Sequence, residues 1–269
     1  MTGETVDEAV AVYDAEAANV THKVLAFGDV HGQWAELWAA LRVAGVAGGT
    51  GELAAPTAGV TTEVVLMGDL VHYKDPESYA EAVGEEHFDA RDPRHLRRAA
   101  KAQISELYRF KDFMERAAGR VSVILGNHDE AALTHAYALA TRSGLEHSEF
   151  DPARGGLELP DDLKRWFSSF PRQKVLYDVH FAHAGPLPGM QSYDDFFYHD
   201  PDTKGWWRTK PELARQSGYR FGVYGHTVMK EGIVLDKLNL FAMIDALERR
   251  QYLELCLRGG DLYADVQTF

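Results

Sequence analysis

The sequence predicts an α/β protein of layered architecture, with two β-sheets and helices against them. Three observations carry this. Short apolar runs alternate with helical patterns through the first two-thirds of the chain, as in layered α/β domains. The last third reads instead as successive strands and hairpins. Three early apolar runs, "AFGDVHG", "LMGDL" and "ILGNHD", end in the same way: a glycine, then a polar residue able to bind metal.

The elements follow in order. Residues 1–20 are acidic and read as a tail or a loosely docked helix. "KVLAFG" (23–28) is a buried strand. Residues 34–45 place Leu37, Trp38, Leu41 and Val43 near helical spacing, and Gly45 ends that helix. Residues 47–59 form a Gly/Ala/Pro loop, and "EVVLMG" (63–68) is a second buried strand. The charged stretch 75–119 is largely helical, with Leu96, Ile104, Leu107, Phe110 and Met114 near one stripe. "VSVILG" (121–126) is a third strand. Helices are expected over 130–140 and 161–170, the second stopped by Pro171. "QKVLYDVHFAHAG", "RFGVYGH", "GIVLDKLNLFAMIDA" and "QYLELCLRGGDLYADV" read as strands, with turns at Asp236-Lys237 and Gly259-Gly260. There is no internal repeat, so residues 21–269 are expected to form a single domain.

Composition bounds the function. The chain has 269 residues, 45% of them hydrophobic, and a net charge of -13. That charge argues against a nucleic-acid polymer as partner, which needs clustered Lys and Arg. A phosphate substrate stays open, because bound metal can reverse the local field. The single cysteine, Cys256, permits no intrachain disulfide and fits a buried strand position. The acidic N-terminus is no signal peptide. No apolar run approaches the roughly 20 residues that span a bilayer. A cytoplasmic protein without membrane partners is expected.

The chemistry gathers at strand ends, where open α/β sheets place their sites. Three such endings would bring Asp29, His31, Asp69, Asn127 and His128 to one crevice. "FAHAGP" and "VYGHT" add His183 and His226 in similar settings. In an extended Asp29-Val30-His31 segment the first and third side chains point the same way. Oxygen and nitrogen donors without thiolate suit manganese, iron, zinc and related ions.

Gly28-Asp29-Val30-His31-Gly32, Gly68-Asp69, Gly126-Asn127-His128-Asp129, His183-Ala184-Gly185 and Gly225-His226-Thr227 resemble the five signatures of the calcineurin-like metallophosphoesterases. The "GDVHG" and "GHT" forms are similar to the branch holding serine/threonine phosphoprotein phosphatases and symmetrical diadenosine tetraphosphatases. The resemblance implies a two-sheet β-sandwich flanked by helices, with two divalent ions at one edge. Manganese would come first, with iron, zinc, nickel, cobalt or magnesium as alternatives. Asp29, His31 and Asp69 would hold one ion. Asp69 would bridge to a second, completed by Asn127, His183 and His226. A hydroxide would bridge both, and His128 would protonate the leaving oxygen. Two divalent ions outweigh two carboxylates and a hydroxide, so the centre would attract phosphate despite the acidic surface. The implied activity is hydrolysis of a phosphate ester or phosphoanhydride, in a nucleotide, a dinucleoside polyphosphate or another small phosphoester. Serine/threonine protein phosphatase activity, or phosphate binding without turnover, are the alternatives.

The second signature departs from that branch. Where the pattern continues into an Asp that orients the catalytic His and an Arg that binds phosphate, this chain has His72 and Tyr73. Asp75 or Asp129 could orient His128 instead, and Lys74 could supply the missing positive charge. Arg208, in "GWWRTKP", matches a phosphate-meeting arginine, whose guanidinium forks onto phosphate. Arg208, Lys74 and Asn127 are thus the expected substrate contacts. The stretch 75–119 is expected to form a helical insertion, a rim or cap favouring small substrates. His22, His87, His95, His135, His147, His180 and His199 fall outside the signatures and read as surface or supporting residues. Trp206-Trp207 reads as core.

Overall fold

A buried strand must satisfy two faces, and β1 (Val20–Phe27) shows this in its last four residues, all buried. Its side chains alternate. Val24 and Ala26 pack with Val65, Phe181, Val223 and Ile244 between the sheets. Leu25 and Phe27 pack outward with Trp34, Leu37, Phe110 and Phe113 of the flanking helices. A strand covered on both sides therefore reads as a continuous apolar run.

The computed structural model describes residues 20–55, 57–141, 143–186 and 203–269. The acidic segment before Val20 and His199 lie outside them. β1 pairs in parallel with β2 (Thr61–Leu66), and β2 in parallel with β3 (Val121–Val123). The first sheet is completed on the other side of β1 by β9 (Gln251–Arg258) and β10 (Asp261–Thr268), in the order β10-β9-β1-β2-β3. The second sheet runs β4 (Gln173–Leu176), β5 (Val179–Ala182), β6 (Phe221–Tyr224), β8 (Phe241–Met243), β7 (Val234–Asp236). Its inner strands β5, β6 and β8 are parallel, with antiparallel strands at both edges. The C-terminal hairpin thus joins the first sheet, a crossing the simple division into early and late strands does not anticipate.

Several boundaries shift for identifiable reasons. Helix α1 (Trp34–Val43) buries Leu37, Trp38 and Leu41, but Val43 is 60% exposed. It stands two residues past Leu41, roughly 200° around the helix, so it leaves the stripe. β3 stops at Val123 because the Leu125 N–H leaves the sheet for the Pro171 carbonyl. α4 spans Asn127–Thr134 rather than 130–140. It starts early because the Asp129 carboxylate accepts the Gly126 N–H, a cap made by the motif itself. It ends early at His135, which has a φ of 53°. The run 173–185 is broken by a turn at Tyr177-Asp178, both at positive φ.

The stretch 75–119 is largely helical but divides in its packing. α2 (Pro76–Val83) is capped by Asp75 and lies against the rim of the site. α3 (Pro93–Arg116) is a core helix, with Leu107, Phe110 and Phe113 in the cluster that covers the first sheet. α5 (Asp161–Ser168) buries Leu163 and Phe167 in the same cluster. Among the described residues, no helix is long and apolar enough to cross a membrane.

Candidate metal centre

Parallel strands in both sheets end at one edge, which brings the five motif segments together. Beyond β2 the chain turns sharply through Gly68, at φ 94°. A Cβ there would stand 2.5 Å from the Ile124 carbonyl oxygen, so only glycine fits. His31, Asp69 and His226 also hold positive φ, at 45°, 49° and 65°. Left-handed backbone outside glycine is costly and concentrates at functional sites.

Asp69 stands at the centre. Its Oδ2 lies 3.3 Å from His31 Nε2 and 3.2 Å from His183 Nε2. Its Oδ1 accepts the His128 N–H at 2.8 Å. Asn127 Oδ1 lies 2.9 Å from His183 Nε2 and 2.8 Å from His226 Nδ1. Both Asp29 oxygens accept the His226 N–H, at 3.1 and 2.9 Å, and Oδ2 is 4.0 Å from His31 Nε2. The structure therefore brings together all six expected ligand residues and His128.

Their hydrogen bonds reveal what the group lacks. His31 Nδ1 donates to the His72 carbonyl at 2.9 Å, and His183 Nδ1 to the Met67 carbonyl at 2.6 Å. A carbonyl can only accept, so each ring, when neutral, turns a bare Nε2 inward, His31 toward Asp69 and His183 toward Asp69 and Asn127. Acceptors facing acceptors need a cation between them. Without one, protons stand in. Burial, then Asp245 close by, pushes Asp29 up to about 7. Burial alone would lower His183, yet Asp69 and Asp29 push it up to about 10. Two donor groups share Asp69: His31, Asp69 and His128, and Asp69, His183 and His226, with ligand atoms within 4.8 Å in each. An all-oxygen-and-nitrogen set of this kind fits divalent ions, and imidazoles held by carbonyls at the far nitrogen fit ligands.

The departing residues take unexpected places. His72 Nδ1 lies 3.0 Å from His128 Nδ1. Neither carboxylate considered as its substitute does this. Asp75 accepts the Ser78 N–H at the start of α2, and Asp129 accepts the N–H groups of Leu70 and Gly126. His147, read as a surface or supporting residue, stacks on His72 at 4.6 Å with planes 2° apart. Burial pushes His72 and His147 each down to about 3, and His128 well below its usual value. Three neutral imidazoles stand side by side.

Lys74 Nζ donates to Asp245 Oδ1 at 2.6 Å. Asp245, fully buried, was missed in the sequence, although "FAMIDA" is another apolar strand ending in a carboxylate. It lacks only the glycine that marks the others. Arg208 lies exposed with its guanidinium 4.2 Å from the Trp207 ring. Trp206 is core: its Nε1 donates to the Ala184 carbonyl, and its ring meets Tyr224 and Phe241. Beside His31 opens a cavity of about 560 Å³, walled by Tyr73, Lys74, Ser78, Glu81 and Arg250 among others.

Residues 22–259 match the family described as calcineurin-like phosphoesterase. A cold-active protein-tyrosine phosphatase of a psychrophilic Shewanella species has a similar structure, with 17% identity over 90% of this chain and 80% of that one (TM-score 0.54). A protein serine/threonine phosphatase from Saccharomyces cerevisiae aligns at 12% identity over 97% and 84% (TM-score 0.52). No curated protein sequence matches the chain.

Proposed function

We propose, since the chain belongs to the calcineurin-like phosphoesterase family, that it hydrolyses a phosphate ester or phosphoanhydride with two divalent ions held by Asp29, His31, Asp69, Asn127, His183 and His226. The observation that carries this is the set of imidazole nitrogens, two of the rings held by carbonyls at Nδ1, that turn Nε2 onto carboxylate and amide oxygens around Asp69. Bound there, divalent ions would polarise the phosphoryl group and acidify a water.

The protein's own share is positioning. The Met67 and His72 carbonyls fix the ring orientation of His183 and His31. The His128 N–H holds one oxygen of Asp69, which leaves the other facing His31 and His183. His128, beside this carboxylate, protonates the leaving oxygen. The cavity beside His31 receives the leaving group. Its volume falls in the range of small-molecule sites, so the preferred substrate is a nucleotide, a dinucleoside polyphosphate or another small phosphoester, with manganese as the ion.

The test is metal content followed by turnover of an aryl phosphate, an aryl phosphodiester, dinucleoside polyphosphates and phosphopeptides, each with added manganese. Turnover of the small substrates above the phosphopeptides is the expected result. A preference for phosphopeptides would make the protein a protein phosphatase. Metal-loaded protein that binds phosphate yet turns over none of these would make it a binding module.

A further inference from the structure

His128 Nδ1 and His72 Nδ1 stand 3.0 Å apart. Two ring nitrogens at this distance share one hydrogen: one donates and the other accepts. His72 is itself held from three directions. Its backbone N–H donates to Gln103 Oε1 at 2.8 Å. Its carbonyl accepts from His31 Nδ1. Its ring lies flat on His147. Gln103 Nε2 donates to Glu149 Oε1 at 2.9 Å, and the Tyr79 hydroxyl donates to the same oxygen at 2.6 Å. Having given its only hydrogen to Glu149, the Tyr79 oxygen accepts from His147 Nδ1 at 2.7 Å. Glu149, 1% exposed, therefore anchors both arms that hold His72. One arm runs through Gln103 of α3, the other through Tyr79 of α2 and His147. Gln103, Glu149, Tyr79 and His147 all lie outside the strand-end signatures.

We propose that His72 is the positioning residue of His128, and that Glu149 is the buried anchor of the frame that holds it. The inference rests on the reading of His128 as the proton donor of a phosphoesterase. An imidazole can fix the rotation of a neighbouring imidazole through one shared hydrogen, as a carboxylate does. Unlike a carboxylate it adds no negative charge beside Asp29 and Asp69. The helical stretch between the second and third signatures supplies Tyr79 and Gln103, so it serves the donor histidine as well as the fold. Residues behind a functional histidine typically matter by roughly 10–100-fold.

The test uses full-length protein loaded with zinc, a diamagnetic ion, and labelled with nitrogen-15 at histidine. Long-range proton–nitrogen spectra show which ring nitrogens carry hydrogen. In the wild type, one Nδ1 of the His72–His128 pair is protonated and the other bare. His72→Ala averages the two His128 tautomers. His72→Asn, whose amide reaches the same place, keeps one, and Glu149→Gln shifts the same signals without altering either ring. With manganese, His72→Ala lowers kcat roughly 10–100-fold, with KM changed less than about twofold and metal content equal. His72→Asn recovers most of the loss. His128 nitrogen signals identical in wild type and His72→Ala overturn the proposal, as does equal kcat in the Ala and Asn variants. Should the metal-loaded wild type hydrolyse no phosphoester, the functional reading fails, while the spectra still decide whether His72 positions His128.

Discussion

The two sheets contribute differently to the same edge. The first delivers Asp29, His31, Asp69 and Asn127, both carboxylates among them, on backbone bent through Gly68 and Asp69. The second delivers imidazoles, His183 and His226, with Asp245 behind them paired to Lys74. Neither edge holds a complete set. Two bonds join them, each from a second-sheet donor to a first-sheet acceptor: His183 Nδ1 donates to the Met67 carbonyl, and the His226 N–H to Asp29. Assembling the site and packing the sheets are therefore one event, and anything bound at the edge also ties the sheets together.

The sharpest way to break this is at the shared residue. Asp69→Asn keeps the shape but removes the charge that both donor groups use. Turnover should fall roughly a thousandfold or more, with metal lost on dialysis. Wild-type metal content in that variant would refute a central role for Asp69. Next in size is the ion itself. Bound metal at 1,000 times its Kd should stabilise the fold by about 4 kcal/mol, read as a Tm that drops on chelation and returns with manganese. A Tm indifferent to chelator would separate site from sheet packing. Gly225→Ala probes the seam where it meets the site: its Cβ would stand 2.3 Å from Asp29 Oδ1 and 2.9 Å from Met67 Cβ. We expect a loss of about 1–3 kcal/mol in denaturant unfolding, against little change for Gly49→Ala, where nothing lies within 4 Å. Equal losses in the two would show that the seam is not tight.

The smallest effect lies inside the second sheet. His180 in β5 bonds Gln173 and the Tyr224 hydroxyl, and burial pushes it down to about 4 from 6.5. The folded protein holds this ring neutral. As pH falls below 6.5 the unfolded chain takes up the proton first, so stability declines toward pH 4 and is complete above 6.5. His180→Gln should remove its share of that decline, visible as a flatter plot of urea midpoint against pH. An unchanged slope would clear His180 of any part in acid sensitivity.

The strand-end residues were legible because each carries a local mark, a glycine and a polar residue after an apolar run. The packing of Leu37, Trp38 and Leu41 was legible from spacing, whereas Val43, apolar like them, turns to the far side of the helix and is exposed. Asp245 has the apolar run without the glycine. His147 has no local mark at all, since its place depends on a stack with His72, 75 positions away. The same holds for His72 itself: the sequence shows that the usual carboxylate is replaced, but only the fold shows what the replacement touches. That β9 and β10 join the first sheet was not legible for a similar reason, because their alternation suits either sheet and their partner is remote.

That last pairing bears on how the molecule is made. Thr21 and Leu257, bonded across β1 and β9, are 236 residues apart. Synthesis delivers the N-terminal residues first, so β1 emerges early and can pair with β2 soon after. Its other edge stays open until β9, more than 200 residues later, has been made. An apolar strand with one unpaired edge is a template for association with other chains. The nascent protein therefore keeps its central strand half-covered over that whole interval, with an edge open to other chains.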